Sequence, residues 1–377
     1  MFVIVYLSLI APIEFVGKTL NIVWALQMVL LLWVAQKLDI KAFRFYSALY
    51  ILVVIINTFY ELYQTYNNIS PQAELKTLFI NIDFISGLIG SLALLFCFYL
   101  VGKEHKIYYL KPLKMSLYQA VVSIFAVIII YFNIYIEISY HITIIYESEL
   151  VHKIILGIYN FGFMLLISTP FLFIKVKKAK LIGGVLVSIS ILFYFFYYTL
   201  IIIQSRDELL ASAGISQYQF WSHLIISALV VILAFSTYLN FRKICINHKF
   251  LSAFTIWPAI FIVLAVLSFE LDHIWIFSMS ENNIATADIL EKVHRMPYTL
   301  LWSVFAAFLT LIGTIINYKQ LRQVSLFIVF CALVKLFIDL QYMNIANKTA
   351  SLIGMGGILL VIAFIYQFNS SKITNND

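Results

Sequence analysis

The chain has 377 residues, 63% of them hydrophobic and 11% charged, with a formal net charge of +7. A soluble domain of this length carries roughly twice that charged fraction, so water is excluded as its main solvent. Its apolar runs continue for about 16 to 25 residues instead of alternating at period two, which excludes a transmembrane β-barrel and predicts an all-α, polytopic transmembrane helix bundle.

Measured against the ~20 residues that cross a hydrocarbon core, the runs predict twelve spans. Their approximate limits are 1–16, 20–38, 43–62, 78–101, 115–139, 152–174, 181–203, 218–239, 250–270, 297–317, 324–342 and 350–368. The first run lacks a basic start and a small-x-small cleavage site, so it reads as a retained helix and not as a signal peptide. Every second loop is basic: Lys37, Lys41 and Arg44 open the series and Lys372 closes it, with 17 of the 25 Lys and Arg on that side. The positive-inside rule then puts both termini in the cytoplasm, with a bacterial inner membrane as the expected location. Basic loops of this kind orient a chain in lipid and imply no nucleic-acid partner. Acidic residues gather towards the other face, which reads as a solvated rim before it reads as a cation-attracting vestibule. In the longest outer stretch, Leu271 to Met296, residues 284–294 form a short amphipathic pattern expected to lie on the membrane surface.

A single integral-membrane domain, 1–377, is expected, with repeat units around 20–62, 156–203 and 298–342. A shift of 278 positions puts Trp24 on Trp302, Lys41 on Lys319, Arg44 on Arg322, Ser47 on Ser325 and Glu61 on Asp339. A shift of 136 puts Lys41 and Arg44 on Lys177 and Lys180, a third and more decayed copy. Such copies would be parallel, as in some transporters. In this reading Glu61 and Asp339 end equivalent helices.

Two blocks carry a family likeness. Pro12, Gly17 and Lys18, then Ile22 to Gln27, Leu32-Trp33 and Arg44, make one; Leu267 to Glu270, Leu301-Trp302, Lys319, Arg322, Leu333 to Asp339 and Ser351 to Gln367 make the other. Together they resemble the bacterial polytopic membrane proteins of domain of unknown function family 2339. The resemblance implies fold and membrane location and no established activity. The position before Gly17, often acidic in that family, is Val16 here.

Six side chains are singled out as an intramembrane or outer-face polar site: Lys335, Asp339, Glu61, Asp83, Glu14 and Glu270. Lys335 and Asp339 stand four apart and can pair across one turn. Charges at membrane depth mark a pathway or an internal lock, though an interfacial pair that snorkels to water has the same spacing. Glu270, Asp272 and His273, with Asp288, Glu291 and His294, supply metal-ligand residue types without a metal motif, and a solvated helix face explains them as well. Cys97, Cys245 and Cys331 stand singly, giving neither disulfide framework nor zinc site. No nucleotide-cradling or hydrolase motif is present, so no catalytic residue, metal or cofactor is assigned. Small residues at helical spacing, Ser86 with Gly90, Gly87 with Ser91, Gly184 with Ser188, and Ala350, Gly354 and Gly357, are expected at helix contacts. Pro170 and Pro258 are expected as kinks or as breaks at a substrate site. Three functions fit: a carrier or flippase for a small or lipid-linked envelope molecule, a glycosyltransferase-like membrane enzyme using a lipid-linked donor with Glu14 as its carboxylate base or metal ligand, or a non-catalytic membrane subunit. Membrane lipids are the expected partners.

Overall fold

The computed structural model describes residues 13–67, 69, 75–104, 108–110, 113–211, 214–245, 254–279 and 286–368. Among them, eleven helices are long and apolar enough to cross a membrane: α1 (Lys18–Leu38), α2 (Lys41–Asn67), α3 (Ile82–Gly102), α4 (Met115–Ile145), α5 (Glu149–Phe173), α6 (Lys177–Leu210), α7 (Gln217–Ile244), α8 (Ile256–Met279), α9 (Thr286–Ile315), α10 (Lys319–Leu340) and α11 (Ile345–Gln367). They follow the second to twelfth expected spans in order; the first, 1–16, lies outside the described residues except for 13–16. The chain divides into two compact units, Met1–Tyr159 and Asn160–Asp377, with the boundary inside α5.

In the first unit, α1 packs on α2 and α3, and α4 packs on α3. α3 begins where the Asn81 side chain accepts a hydrogen bond from Phe84 N at 2.9 Å, an N-cap that satisfies one orphan donor. The core joins Met28 and Leu32, Val54, Leu94 and Val101, and Ala126 and Ile129. Between α3 and α4 the basic loop forms a small antiparallel hairpin, Tyr108–Leu110 with Leu113–Lys114. Tyr109 on it is 2% exposed, stacks on Tyr118 at 4.0 Å, and donates its hydroxyl to the Arg44 carbonyl oxygen. Burial pushes the Tyr109 phenol up to about 12, so it remains a donor. Arg44 in turn reaches Glu104 at 2.6 Å.

In the second unit, α7 packs on α6 and α8, and α9 packs on α8, α10 and α11. α7 opens with a capping box, the Ser216 N–H donating to Gln219 Oε1 at 2.8 Å. α6 widens into a π-helical turn at Tyr194–Tyr198. From residue 286 on, the amphipathic stretch expected on the membrane surface forms the start of α9, where Ile289 and Val293 bury themselves against Ile276 of α8, so the apolar face is met by protein; residues 284 and 285 lie outside the described residues. α9 continues through Pro297. Pro258 sits in the first turn of α8, where its missing N–H costs nothing, and Pro170 lies one turn before the end of α5, so neither breaks a helix at mid-span.

The hairpins α1–α2 and α9–α10 share a burial register. Each residue that α1 buries, Asn21, Ala25, Met28, Leu31, Leu32 and Ala35, has a buried counterpart 278 positions on in α9. Six of the eight buried in α2 do so in α10, and the other two fall on half-buried Leu333 and Leu340. Asp39 and Asn317, also 278 apart, both adopt the left-handed region, at φ 51° and 52°, in the turn before α2 and α10. At a shift of 136, α6 begins at Lys177 as α2 begins at Lys41, and Lys180, Gly183, Val187 and Ile191 take the buried places of Arg44, Ser47, Ile51 and Ile55.

Candidate functional site

The second unit holds a hydrogen-bonded chain of polar side chains, buried apart from the part-buried Glu270, where α6, α7 and α8 meet. The π turn carries Tyr194, whose hydroxyl lies 3.2 Å from Ser227 Oγ of α7. Ser227 donates to Glu270 Oε1 of α8 at 2.6 Å, so Tyr194 must be the donor to Ser227. Glu270 Oε2 is 3.0 Å from Nε2 of His223, one turn before Ser227 on α7. His223 Nδ1 faces the Phe220 carbonyl oxygen at 2.6 Å and therefore carries a hydrogen. Nε2 then either donates to an ionised Glu270 or accepts from a protonated one. In both forms one proton lies between Nε2 and Oε2. His223 is fully buried, and Glu270 stands fourteen residues past Ile256, about 21 Å along α8 at about 1.5 Å per residue. A charge-bearing pair at such depth is costly and tends to be functional.

His273, one turn after Glu270, sets its ring edge-on to His223 at 5.3 Å, and its buried Nδ1 has no hydrogen-bond partner among the described residues. Asp272 leaves α8 on another side, because two residues turn a helix by about 200°. It accepts from the Tyr298 hydroxyl at 2.7 Å and lies 3.2 Å from His294 Nε2, both on α9.

The first unit has a second polar group. Asn21 of α1 donates to Thr58 Oγ1 of α2 at 3.0 Å and to Ser86 Oγ of α3 at 3.2 Å. Ser86 Oγ donates to the Lys18 carbonyl oxygen. Asp83 is held between Lys18 and Lys76, the latter at 2.5 Å. Glu137 of α4 accepts from Asn81 Nδ2 at 2.7 Å and Phe79 N at 2.9 Å. Gly17, at φ +61°, lets the chain turn into α1 beside Glu61, whose Oε1 would lie 3.7 Å from an added Cβ.

The family described as "Predicted membrane protein (DUF2339)" has a model that matches residues 1–368. The chain is a DUF2339 membrane protein. No curated protein and no solved structure matches it.

In the DUF2339 chain the six sequence-derived residues have different immediate surroundings. Lys335 and Asp339 pair on α10 at 2.5 Å, their side chains 22% and 15% exposed. Asp83 and Glu61 lie near Lys18 and Gly17, the residues that carry the family likeness at the start of the chain. Glu14 is exposed and makes no ion pair among the described residues. Glu270 belongs to the buried chain, whose other members, His223, Ser227 and Tyr194, the sequence reading passed over. Their signal was His223 and Ser227 at i, i+4, one face of one helix. The metal-type residues diverge: Glu270 turns to His223, Asp272 to His294, and Glu291 pairs with Arg295. Among the described residues, no three His, Cys, Asp or Glu side chains converge as metal ligands.

Proposed function

We propose that this DUF2339 protein is a carrier or flippase that moves a small or lipid-linked amphiphile across the membrane, with the proton shared by His223 and Glu270 as its coupling ion. The observation that carries this reading is the one-proton pair itself, about three-fifths of the way along α8, beside the ring of His273, whose Nδ1 has no hydrogen-bond partner among the described residues. Proton relays in carriers use such intramembrane Glu and His groups. The reading also draws on duplication of the α1–α2 hairpin as α9–α10, and in weaker form as α5–α6, which the shared burial register and the matched turns at Asp39 and Asn317 support. The location that goes with it is a bacterial inner membrane with the basic loops cytoplasmic, so that the pair sits towards the outer half.

A transferase finds less support. A transferase needs a carboxylate base that its acceptor can reach from the outer face, yet Glu270 is only 12% exposed and already held by His223 and Ser227, and Glu14 makes no ion pair among the described residues.

Reconstitution of the full chain in phosphatidylethanolamine–phosphatidylglycerol vesicles tests the proposal. A fluorescent-headgroup phosphatidylglycerol in the inner leaflet should become accessible to external dithionite faster than in protein-free vesicles. Equal rates in the two would count against a carrier of amphiphiles.

A further inference from the structure

At the other end of α7 from His223, a groove of about 550 Å³ runs between α7, α8 and α9 to the start of α10. Its walls are apolar, with Phe235, Ile260, Val263 and Phe308 among them, and its polar members are Tyr238, Arg242 and Tyr318. Arg242 Nη1 donates to the Tyr238 hydroxyl at 3.0 Å, Tyr238 lies 3.3 Å from the Tyr318 hydroxyl, and the guanidinium stands 5.9 Å from both ring centres. Arg242 is exposed, and among the described residues no carboxylate pairs with it.

We propose that this groove is a binding site for an anionic diacyl phospholipid, its phosphate on Arg242 and the two tyrosines and an acyl chain along the apolar walls. Charge complementarity selects the occupant. A guanidinium offers five donors in a planar fork that matches phosphate oxygens, and Tyr238 engages one of its nitrogens while the two phenols fix its plane. The volume lies within the range of about 300–1,000 Å³ usual for small-ligand sites. Basic pockets between membrane helices bind acidic headgroups by this combination. Burial, with the hydrogen bond to Tyr238, pushes the Tyr318 phenol up to about 12, so it stays a neutral donor to phosphate. The first unit supplies an internal comparison: a groove of about 570 Å³ along Val23, Leu26, Leu30, Trp33 and Phe96 has no charged side chain in its lining. Such a lining gives a phosphate headgroup no charged partner.

The test uses the full chain in detergent micelles, with thermal unfolding followed as dioleoylphosphatidylglycerol, dioleoylphosphatidylcholine or inorganic phosphate is added. Phosphatidylglycerol should raise the Tm, and the other two should not. Arg242→Gln should raise the half-saturating phosphatidylglycerol concentration about tenfold, and Tyr318→Phe about threefold, as loss of a charged and of a neutral hydrogen bond imply. Leu30→Phe, in the uncharged groove, should leave it unchanged. Should Arg242→Gln fail to fold, Tyr318→Phe decides. Equal stabilisation by phosphatidylcholine, or a phosphatidylglycerol response indifferent to these changes, would overturn the proposal, and free phosphate reproducing the shift would overturn the lipid assignment. Binding in micelles involves no transport, so a failure here and a failure of the carrier reading remain distinct.

Discussion

Lys335 and Asp339 meet across one turn of α10, as their i, i+4 spacing predicts. Asp339→Asn leaves the ammonium without its partner, whereas Lys335→Met with Asp339→Asn removes both charges. The single change should therefore lower stability in detergent by about 1 to 2 kcal/mol, less than the roughly 3 to 5 of a fully buried pair, and the double change by less than the single. Unfolding temperatures equal to the parent's for both variants would make the pair a hydrated surface feature. This pair was legible because both partners lie on one helix. The Glu270 network was legible only in its acid, the one residue type that stands out in an apolar run. His223, Ser227 and Tyr194 are the usual furniture of aromatic-rich helices, and what makes them a site is the register of α6 and α7 against α8, a long-range packing outcome with no local signature.

Helices were the most readable level. Eleven spans follow the apolar runs in order, because the length of a span is set by the bilayer and leaves its mark in every run. Ends were less readable. α8 extends to Met279 and α9 begins at Thr286, well beyond the apolar limits, since the polar ends of both helices pack on each other through Ile276, Ile289 and Val293 instead of dissolving into a loop. The π turn at Tyr194–Tyr198 left no mark in the hydropathy either. Small residues mark close contacts at several of the expected places: an added Cβ on Gly90 would meet Thr58 Oγ1 at 3.3 Å, on Gly184 the Phe241 ring at 3.1 Å, and on Gly354 Leu300 at 3.1 Å, while Gly357 has open space. The sharpest case is Gly87, whose Cβ would stand 2.6 Å from Asn133 Cγ. Asn133 is buried and donates to the Phe84 carbonyl oxygen at 2.9 Å, so it cannot swing aside without losing that bond. Gly87→Ala should destabilise by about 1 to 3 kcal/mol, as overpacking does, while Gly357→Ala should be neutral or stabilise by up to about 1 kcal/mol. Similar thermal stabilities for the two variants in detergent would contradict the close approach of α3 and α4.

On the scale of the whole molecule, composition decided the solvent and the alternation of basic loops decided the orientation expected of the spans, while neither carried any information about cargo. The proposed repeat rests on aligned Trp, Lys, Arg and Ser residues and on the shared burial register, since a common buried face constrains every third or fourth residue even where identities have drifted. The proposed function left no mark in the sequence because it rests on a proton shared between two helices and on a cation at the mouth of a groove, both assembled from residues far apart in the chain. The proton pair is the most exposed part of the account. Vesicles holding the full chain and a fluorescent-headgroup phosphatidylglycerol, with a pH gradient imposed across them, put it to the test. The gradient should accelerate lipid translocation by the parent and by Lys335→Met with Asp339→Asn, and should have no effect on His223→Gln or Glu270→Gln. A gradient response that survives in both of those single variants would contradict the assignment of His223 and Glu270 as the coupling site.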